Sequence, residues 1–378
     1  MGLWAFRSSV GRRIANKIRT LVHPPAVLSS DDGREEAVLP EAGPSVSVET
    51  ALNSRCTSDA DDNPENFHWG MFDRKRTLSR GQIEAIVSRV RIPRWTDGGL
   101  RIKAEKNLLT FIIDNRAAGR VREWLMVESG LEQQALGLVC AALGVGYVFS
   151  TLGEDGISLS AEEQATVRIR IDAMKPSYDG AYWTSAAPPR PRPWKPGNLP
   201  DPIRSGDRAL LTVLADLKTE RPEGGAVSPA RLGQLLWAAR GRTPHFFKSD
   251  PWGLTIPTYR GEQALSHVHV AAGDRLSRYV NRADNRPTHS LADAGEIPAG
   301  GVKDLAGRFG PGRLYIILGK SETAARALWE IGYQLLNLML QAASLGLTYK
   351  AVLVDDKALF RGTELTDPVA VLVLQGEA

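Results

Sequence analysis

Residues 327–347, ALWEIGYQLLNLMLQAASLGL, constrain this chain more than any other stretch. Leu328, Ile331, Leu335, Leu338 and Ala342 recur at three- and four-residue steps, and apolar residues fill much of the opposite face. A helix that is apolar nearly all round belongs inside a protein. Glu330, Gln334, Asn337 and Gln341 interrupt the run, which rules out a membrane span. Gly346 stands where a C-cap glycine ends a helix. Strand patterns flank the helix, RLYIILG at 313–319 and AVLV at 351–354. On pattern alone this is the core helix of an α/β domain.

A second copy of the pattern lies upstream. Residues 130–145, GLEQQALGLVCAALGV, align without a gap on residues 332–347. The match pairs Gly130 with Gly332, Leu136 with Leu338, Ala141 with Ala343 and Leu143-Gly144 with Leu345-Gly346. The strand pattern LLTFIID at 108–114 precedes this copy too. Further back, Ile92-Pro93 followed by Gly99-Leu100 echoes Ile256-Pro257 followed by Ala264-Leu265. The helical stretch 78–90 likewise echoes 227–239. Two copies this long are no solenoid. They point to two related domains in one chain, packed as an internal pseudo-dimer.

A chain of 378 residues has room for two domains, each with a core of its own. The net charge of +4 is modest and no recognition motif accompanies it, so nucleic acid is not expected as a partner. Cys56 and Cys140 form no metal-ligand spacing, and Cys140 falls within a helical core pattern. A reduced, cytoplasmic protein is the expectation.

Taken in order, residues 1–23 form an amphipathic basic segment. Leu3, Phe6, Val10, Ile14, Ile18 and Leu21 are helically spaced among Arg7, Arg12, Arg13, Lys17 and Arg19. Such a segment can rest on an anionic membrane surface or a partner protein, or dock on its own domain. No secretory signal is expected. The stretch up to residue 66 reads as a loose linker, with a short helix within 45–55. Residues 67–183 are the first, degenerate repeat. The Pro-rich run at 184–205 is an extended linker, and residues 206–378 are the second repeat.

The second repeat resembles the nitroreductase-like flavoproteins, and within them the SagB/ThcOx-type dehydrogenases. Five blocks carry the resemblance in order: 227–243, 255–272, 275–291, 328–347 and 355–376. The resemblance implies an α+β fold, a mainly antiparallel sheet with helices around it. It also implies FMN bound at a dimer interface, which here would be formed by two tandem repeats of one chain.

The same resemblance implies the site. The family grips the FMN phosphate with an Arg-Arg-Ser-x-Arg motif. Lys218-Thr219-Glu220-Arg221 stands in its place, so Lys218 and Arg221 are the phosphate candidates. Pro257, Thr258 and Tyr259 take the place of the ring-edge loop, although the family's Ser-Ala-Gly is replaced. Gly346, Leu347 and Thr348 would let backbone approach the ring. Removing a hydride from a C–H bond also needs a base for the partner proton, and Tyr259, Tyr349 and Lys350 are the candidates. His267 and His269 point to one face of a strand without a third ligand, so no metal site is expected.

Two functions follow. One is an FMN-dependent oxidoreductase acting on a small molecule or a peptide-derived heterocycle in natural-product biosynthesis. The alternative is a flavin-free partner or scaffold subunit, which the altered phosphate motif favours.

Overall fold

A computed structural model describes residues 34–39, 46–54, 73, 75–150, 163–173, 197–244, 252–257, 265–281, 288–297, 301–321, 325–355, 360, 363, 365 and 367–375. The architecture is α+β, two antiparallel sheets on either side of a pair of long central helices.

The first half opens with β1 (Glu35–Glu36), which pairs in parallel with β2 (Arg76–Thr77). Between them in sequence lies α1 (Val48–Ser54). Next comes α2 (Arg80–Arg89), started by a capping box in which Ser79 and Gln82 satisfy each other's backbone N–H. The hairpin β3 (Leu100–Glu105) and β4 (Leu108–Asp114) leads into α3 (Gly119–Ala142), then β5 (Val145–Ser150) and β6 (Glu163–Ala173). These strands form a four-stranded sheet in the order β3-β4-β6-β5.

The second half runs through α4 (Leu210–Ala215), β7 (Glu220–Arg221), α5 (Pro229–Arg240) and a small hairpin of β8 (Arg242–Pro244) and β9 (Trp252–Leu254). Then follow β10 (Ser266–Ala272), β11 (Arg275–Val280), β12 (Ser290–Glu296), α6 (Gly301–Phe309), β13 (Leu314–Lys320), α7 (Ala325–Ser344), β14 (Tyr349–Leu353) and β15 (Pro368–Leu374). Their seven-stranded sheet has the order β12-β11-β10-β13-β15-β14-β7.

The two sheets share one connectivity. In each, a strand enters the long helix, the next strand goes out to the flank, and the last returns between them, giving β4-β6-β5 and β13-β15-β14. Gly144 and Gly346 end their helices in the left-handed region, at φ +65° and +66°.

Helices α3 and α7 pack against each other and form the centre of the molecule. They meet backbone to backbone at Gly130 and Gly332. A Cβ on Gly332 would fall 2.8 Å from the Gly130 Cα and closer still to the Val127 carbonyl oxygen. No other residue type fits that approach.

The polar residues that break up the α7 pattern bond to α3 and to the other elements packed around α7. Asn337 accepts from Gln134 (2.9 Å) and donates to the Ala238 carbonyl (2.9 Å). Gln334 donates to the Ser266 hydroxyl (3.1 Å), and Gln341 to Glu49 (2.6 Å). Glu330, buried, accepts from Arg240 (3.1 Å), the Ser266 hydroxyl (2.8 Å) and the Leu265 amide (3.2 Å). These bonds offset much of the cost of burying the groups, although, among the described residues, one carboxylate oxygen of Glu330 and the amide oxygen of Gln334 are buried without a partner.

Three sequence expectations change. First, the short helix expected within 45–55 is present as α1, but it is docked in the core and not held in a loose linker. Val48, Ala51 and Leu52 of α1 are buried in the main core, and Glu49 accepts from Gln341 and Ser344 of α7. Ser47 forms an antiparallel bridge with Ala209. The helix is too short to show an apolar stripe in sequence. Second, the end of the 184–205 linker docks on the second half: Asn198 exchanges hydrogen bonds with Leu291, and Ile203 with Gln234. Third, α3 begins well before the 130–145 repeat, at Gly119. Residues 1–33, which contain the basic segment, lie outside the described residues.

Candidate functional site

The candidate site forms where the segment after α4 meets the end of α7. Strand β7 pairs antiparallel with β14, placing Arg221 opposite Tyr349 and Glu220 opposite Lys350. Further along, the Gly225 amide donates to the Gly346 carbonyl (2.8 Å) and the Thr348 amide to the Gly225 carbonyl (3.2 Å). Glycine is required here as well, because a Cβ on Gly224 would lie 2.6 Å from the Gly346 carbonyl oxygen.

Within this seam the Arg221 guanidinium donates to the Glu223 carbonyl (3.2 Å) and to the Ala343 carbonyl (3.4 Å) in the last turn of α7. A cation at a helix C-terminus is favourably placed. Lys218 is exposed beside it, and its carbonyl accepts from the Tyr349 hydroxyl (2.9 Å). Lys218, Arg221, Gly346, Leu347, Thr348 and Tyr349 are thus brought together by contacts across more than a hundred residues.

Tyr349 and Lys350 are successive strand residues and point to opposite faces of the sheet. Tyr349 is buried and Lys350 exposed, running alongside Gly310. Burial pushes the Tyr349 hydroxyl up to about 12, although its bond to Lys218 and the charge of Arg221 pull it down. At neutral pH Tyr349 is therefore a proton-bearing donor, not a free base.

Of the ring-edge candidates only Pro257 is described, and it lies away from this cluster. Thr258 and Tyr259 lie outside the described residues. Pro257 is buried, and the nearby Thr255 carbonyl accepts from Gln134 and Asn337 (both 3.2 Å). Asn337 sits about 13 Å up the helix from Gly346 at 1.5 Å per residue. Instead, a first-half loop comes to the site: the Trp95 indole N–H donates to the Ala351 carbonyl of β14 (3.1 Å). The Ile92-Pro93 echo of Ile256-Pro257 marked this loop in the sequence. That it would reach across to the other half was not legible.

Two carboxylates of α3 hold that loop. Glu128, fully buried, accepts from the amides of Trp95 (2.7 Å) and Thr96 (2.8 Å) and from the Thr96 hydroxyl (2.5 Å). Glu132 pairs with Arg94. Burial raises Glu132 to about 7; the Arg94 charge lowers it and Glu128 raises it further.

The sign of the consequence is definite. The folded state holds the Glu132 proton between its unfolded value of 4.5 and about 7, so this group's contribution is full below that window and falls as pH rises through it. The loss amounts to about 3 kcal/mol at 1.36 kcal/mol per unit. Glu132→Gln, which keeps an acceptor for Arg94, is expected to flatten the fall in unfolding free energy between pH 5 and 8. A slope unchanged from wild type would show that Glu132 ionises at no cost.

His267 and His269 of β10 stack edge to face with centroids 4.8 Å apart. Burial, with His267 and Arg278 nearby, drives His269 down to about 3, so it is neutral. Among the described residues no group of three or more His, Cys, Asp or Glu could hold a metal ion, and no helix is long and apolar enough to cross a membrane.

Comparison with solved structures gives seven matching chains, among them two proteins with a provisional nitroreductase designation. One, from Ralstonia eutropha JMP134, is 22% identical and covers 50% of this chain and 94% of its own, with a TM-score of 0.37. The other, from Anabaena variabilis ATCC 29413, is 12% identical and covers 72% of this chain and 69% of its own, with a TM-score of 0.49. No family model matches the chain. No curated protein matches it by sequence.

Proposed function

We propose that the chain is an FMN-dependent oxidoreductase made of two nitroreductase-like halves, with its site in the second half at the seam of β7, β14 and the end of α7. The substrate would be a small molecule or a peptide-derived heterocycle, as in SagB-type enzymes. The observation that carries this reading is the convergence of Lys218 and Arg221 with Gly346–Tyr349. The shared connectivity of the sheets and the Gly130–Gly332 contact support the pseudo-dimer.

The residues fit the phosphate end of FMN. Arg221 uses two N–H donors on carbonyls and keeps others, Lys218 is exposed beside it, and Gly346 has open space where a Cβ would project. Lys218 and Arg221 would hold the phosphate, and the backbone of Gly346–Thr348 would lie against the ring. Tyr349 fixes the Lys218 backbone, and Trp95, bonded to Ala351, would form a wall. The bound flavin would supply the hydride chemistry.

An Arg–phosphate bond contributes roughly 1.5–3 kcal/mol. Arg221→Ala is therefore expected to weaken FMN about tenfold or more and to leave riboflavin, which lacks the phosphate, nearly unchanged. Fluorescence quenching with both ligands measures this. Equal losses would mean that Arg221 supports the fold alone. The flavin-free reading is favoured by one observation: Arg221 already caps α7 through Ala343, so phosphate must share it with the helix end.

A further inference from the structure

We propose that the first-half loop 94–96 is a pH-responsive latch, in which a proton on Glu132 sets how firmly Trp95 is held against β14 beside the Arg221 seam. The contacts form a continuous chain. Glu128 of α3 accepts from the amides of Trp95 (2.7 Å) and Thr96 (2.8 Å) and from the Thr96 hydroxyl. The Trp95 indole N–H in turn donates to the Ala351 carbonyl (3.1 Å). Arg94 ties the same loop to Glu132 and, through the Leu100 carbonyl (3.1 Å), to the start of β3.

Glu128 and Glu132 lie one turn apart on one face of α3, 0% and 2% exposed. Glu128 is met by three neutral donors of the loop. Glu132 is not met in this way. Arg94 takes one of its oxygens, and the other is buried with no hydrogen-bond partner among the described residues. An ionised Glu132 therefore leaves a charged oxygen unbonded beside a second carboxylate. A proton on it removes that charge and leaves Arg94 balanced by Glu128.

Arg94 and Glu128 are the charged groups that act on Glu132. The other elements packed on α3 direct their charges elsewhere. Glu330 of α7 meets Arg240, Glu49 of α1 meets Gln341, and Arg80 of α2 meets Glu84. Arg101 and Lys103 of β3 meet Glu163 and Glu105, and Asp114 of β4 meets Arg116. The alternation of β6 puts Arg168, Arg170 and Asp172 on the face away from the main core. α4 and β5 carry no charge.

Burial raises the Glu132 carboxyl to about 7, with Arg94 lowering it and Glu128 raising it further, whereas its ordinary value is 4.5. Opening of the loop, which lets water reach Glu132, releases the proton anywhere between these values. The opening equilibrium then rises about tenfold per pH unit across that window and levels off above it. The latch is tightest in mild acid and loosest above neutrality. That Trp95 walls a flavin site rests on the reading above. The latch does not, and its test contains no flavin, so the two can fail separately.

The test is amide hydrogen exchange of the full chain, read by mass spectrometry on peptides spanning Trp95 and Thr96 and divided by the intrinsic exchange rate at each pH. Protection is expected to fall about tenfold per unit between pH 5 and 6.5 and to level off above pH 7.5. Glu132→Gln, which cannot ionise, should stay level. Arg94→Gln, which removes the charge favouring ionisation, should carry the fall past pH 7.5, and it tests the latch even if Glu132→Gln does not fold. Protection that is flat in wild type, a fall of equal slope in Glu132→Gln, or levelling of Arg94→Gln at the wild-type pH would overturn the proposal. So would loop amides as protected throughout as those of β13, since the loop would then open only with the whole molecule.

Discussion

Gly332→Ala is expected to destabilise the protein by more than about 3 kcal/mol or to leave no soluble folded chain. Overpacking a core costs about 1–3 kcal/mol when side chains can move aside. Here the added methyl meets the Gly130 Cα at 2.8 Å and the Val127 carbonyl even closer. Both belong to helix backbone, so relief requires α3 and α7 to separate. Separation would open the junction on which Gln134, Asn337 and Tyr333 depend for their hydrogen bonds. Gly130→Ala meets the mirror problem, since its Cβ would lie 2.8 Å from the Trp329 Cα. Gly307→Ala is the control. It sits within α6, with nothing inside 4 Å of the added atom, and should be neutral or stabilising by up to about 1 kcal/mol. Urea midpoints measure all three. A Gly332→Ala variant within about 1 kcal/mol of wild type would mean that the helices are not locked there.

Removing residues 1–54 is expected to abolish cooperative folding. The deletion takes away α1, and with it the buried side chains of Val48, Ala51 and Leu52. Burying a valine and a leucine contributes about 1.5–3 kcal/mol each, to which a cavity adds. The deletion also strips Gln341 of its Glu49 acceptor deep in the core. Together these losses approach the total stability of an ordinary domain, about 5–15 kcal/mol. Leu52→Ala alone should cost about 2–5 kcal/mol. A truncated protein that melts within a few degrees of the full chain, by circular dichroism, would show that α1 contributes little to the core.

This second expectation reverses what the sequence suggested, and the reason is instructive. α1 has only seven residues, VETALNS, and its flanks are polar. Periodicity cannot register over two turns, and only the tertiary context reveals that one face meets α7. The long elements were legible for the opposite reason. β4 occupies the predicted 108–114, and α7 and Gly346 fall where the periodicity and the cap residue placed them. Glu330, Gln334, Asn337 and Gln341 were legible as reasons against a membrane span. Their partners on other elements were not. β12 and α6 were missed, because SLADAGE alternates weakly and GVKDLAGRF is short and glycine-flanked.

The site divides in the same way. Lys218 and Arg221 could be named from the resemblance, but their pairing with Tyr349 and Lys350 depends on β7, a strand of two residues. Trp95 was invisible as a site residue because it comes from the other half of the chain. Tyr349 and Lys350 were both named as possible bases near the ring, and strand alternation sends them to opposite faces.

The absorbance spectrum tests the central claim most directly. The 378-residue chain, incubated with excess FMN and passed over a desalting column, is predicted to emerge yellow, with flavin bands in the near-UV and blue. Arg221→Ala, treated in the same way, should retain much less. A folded wild-type protein that emerges colourless, with no quenching of FMN fluorescence in titration, would contradict the flavin reading and leave the partner-subunit role in its place.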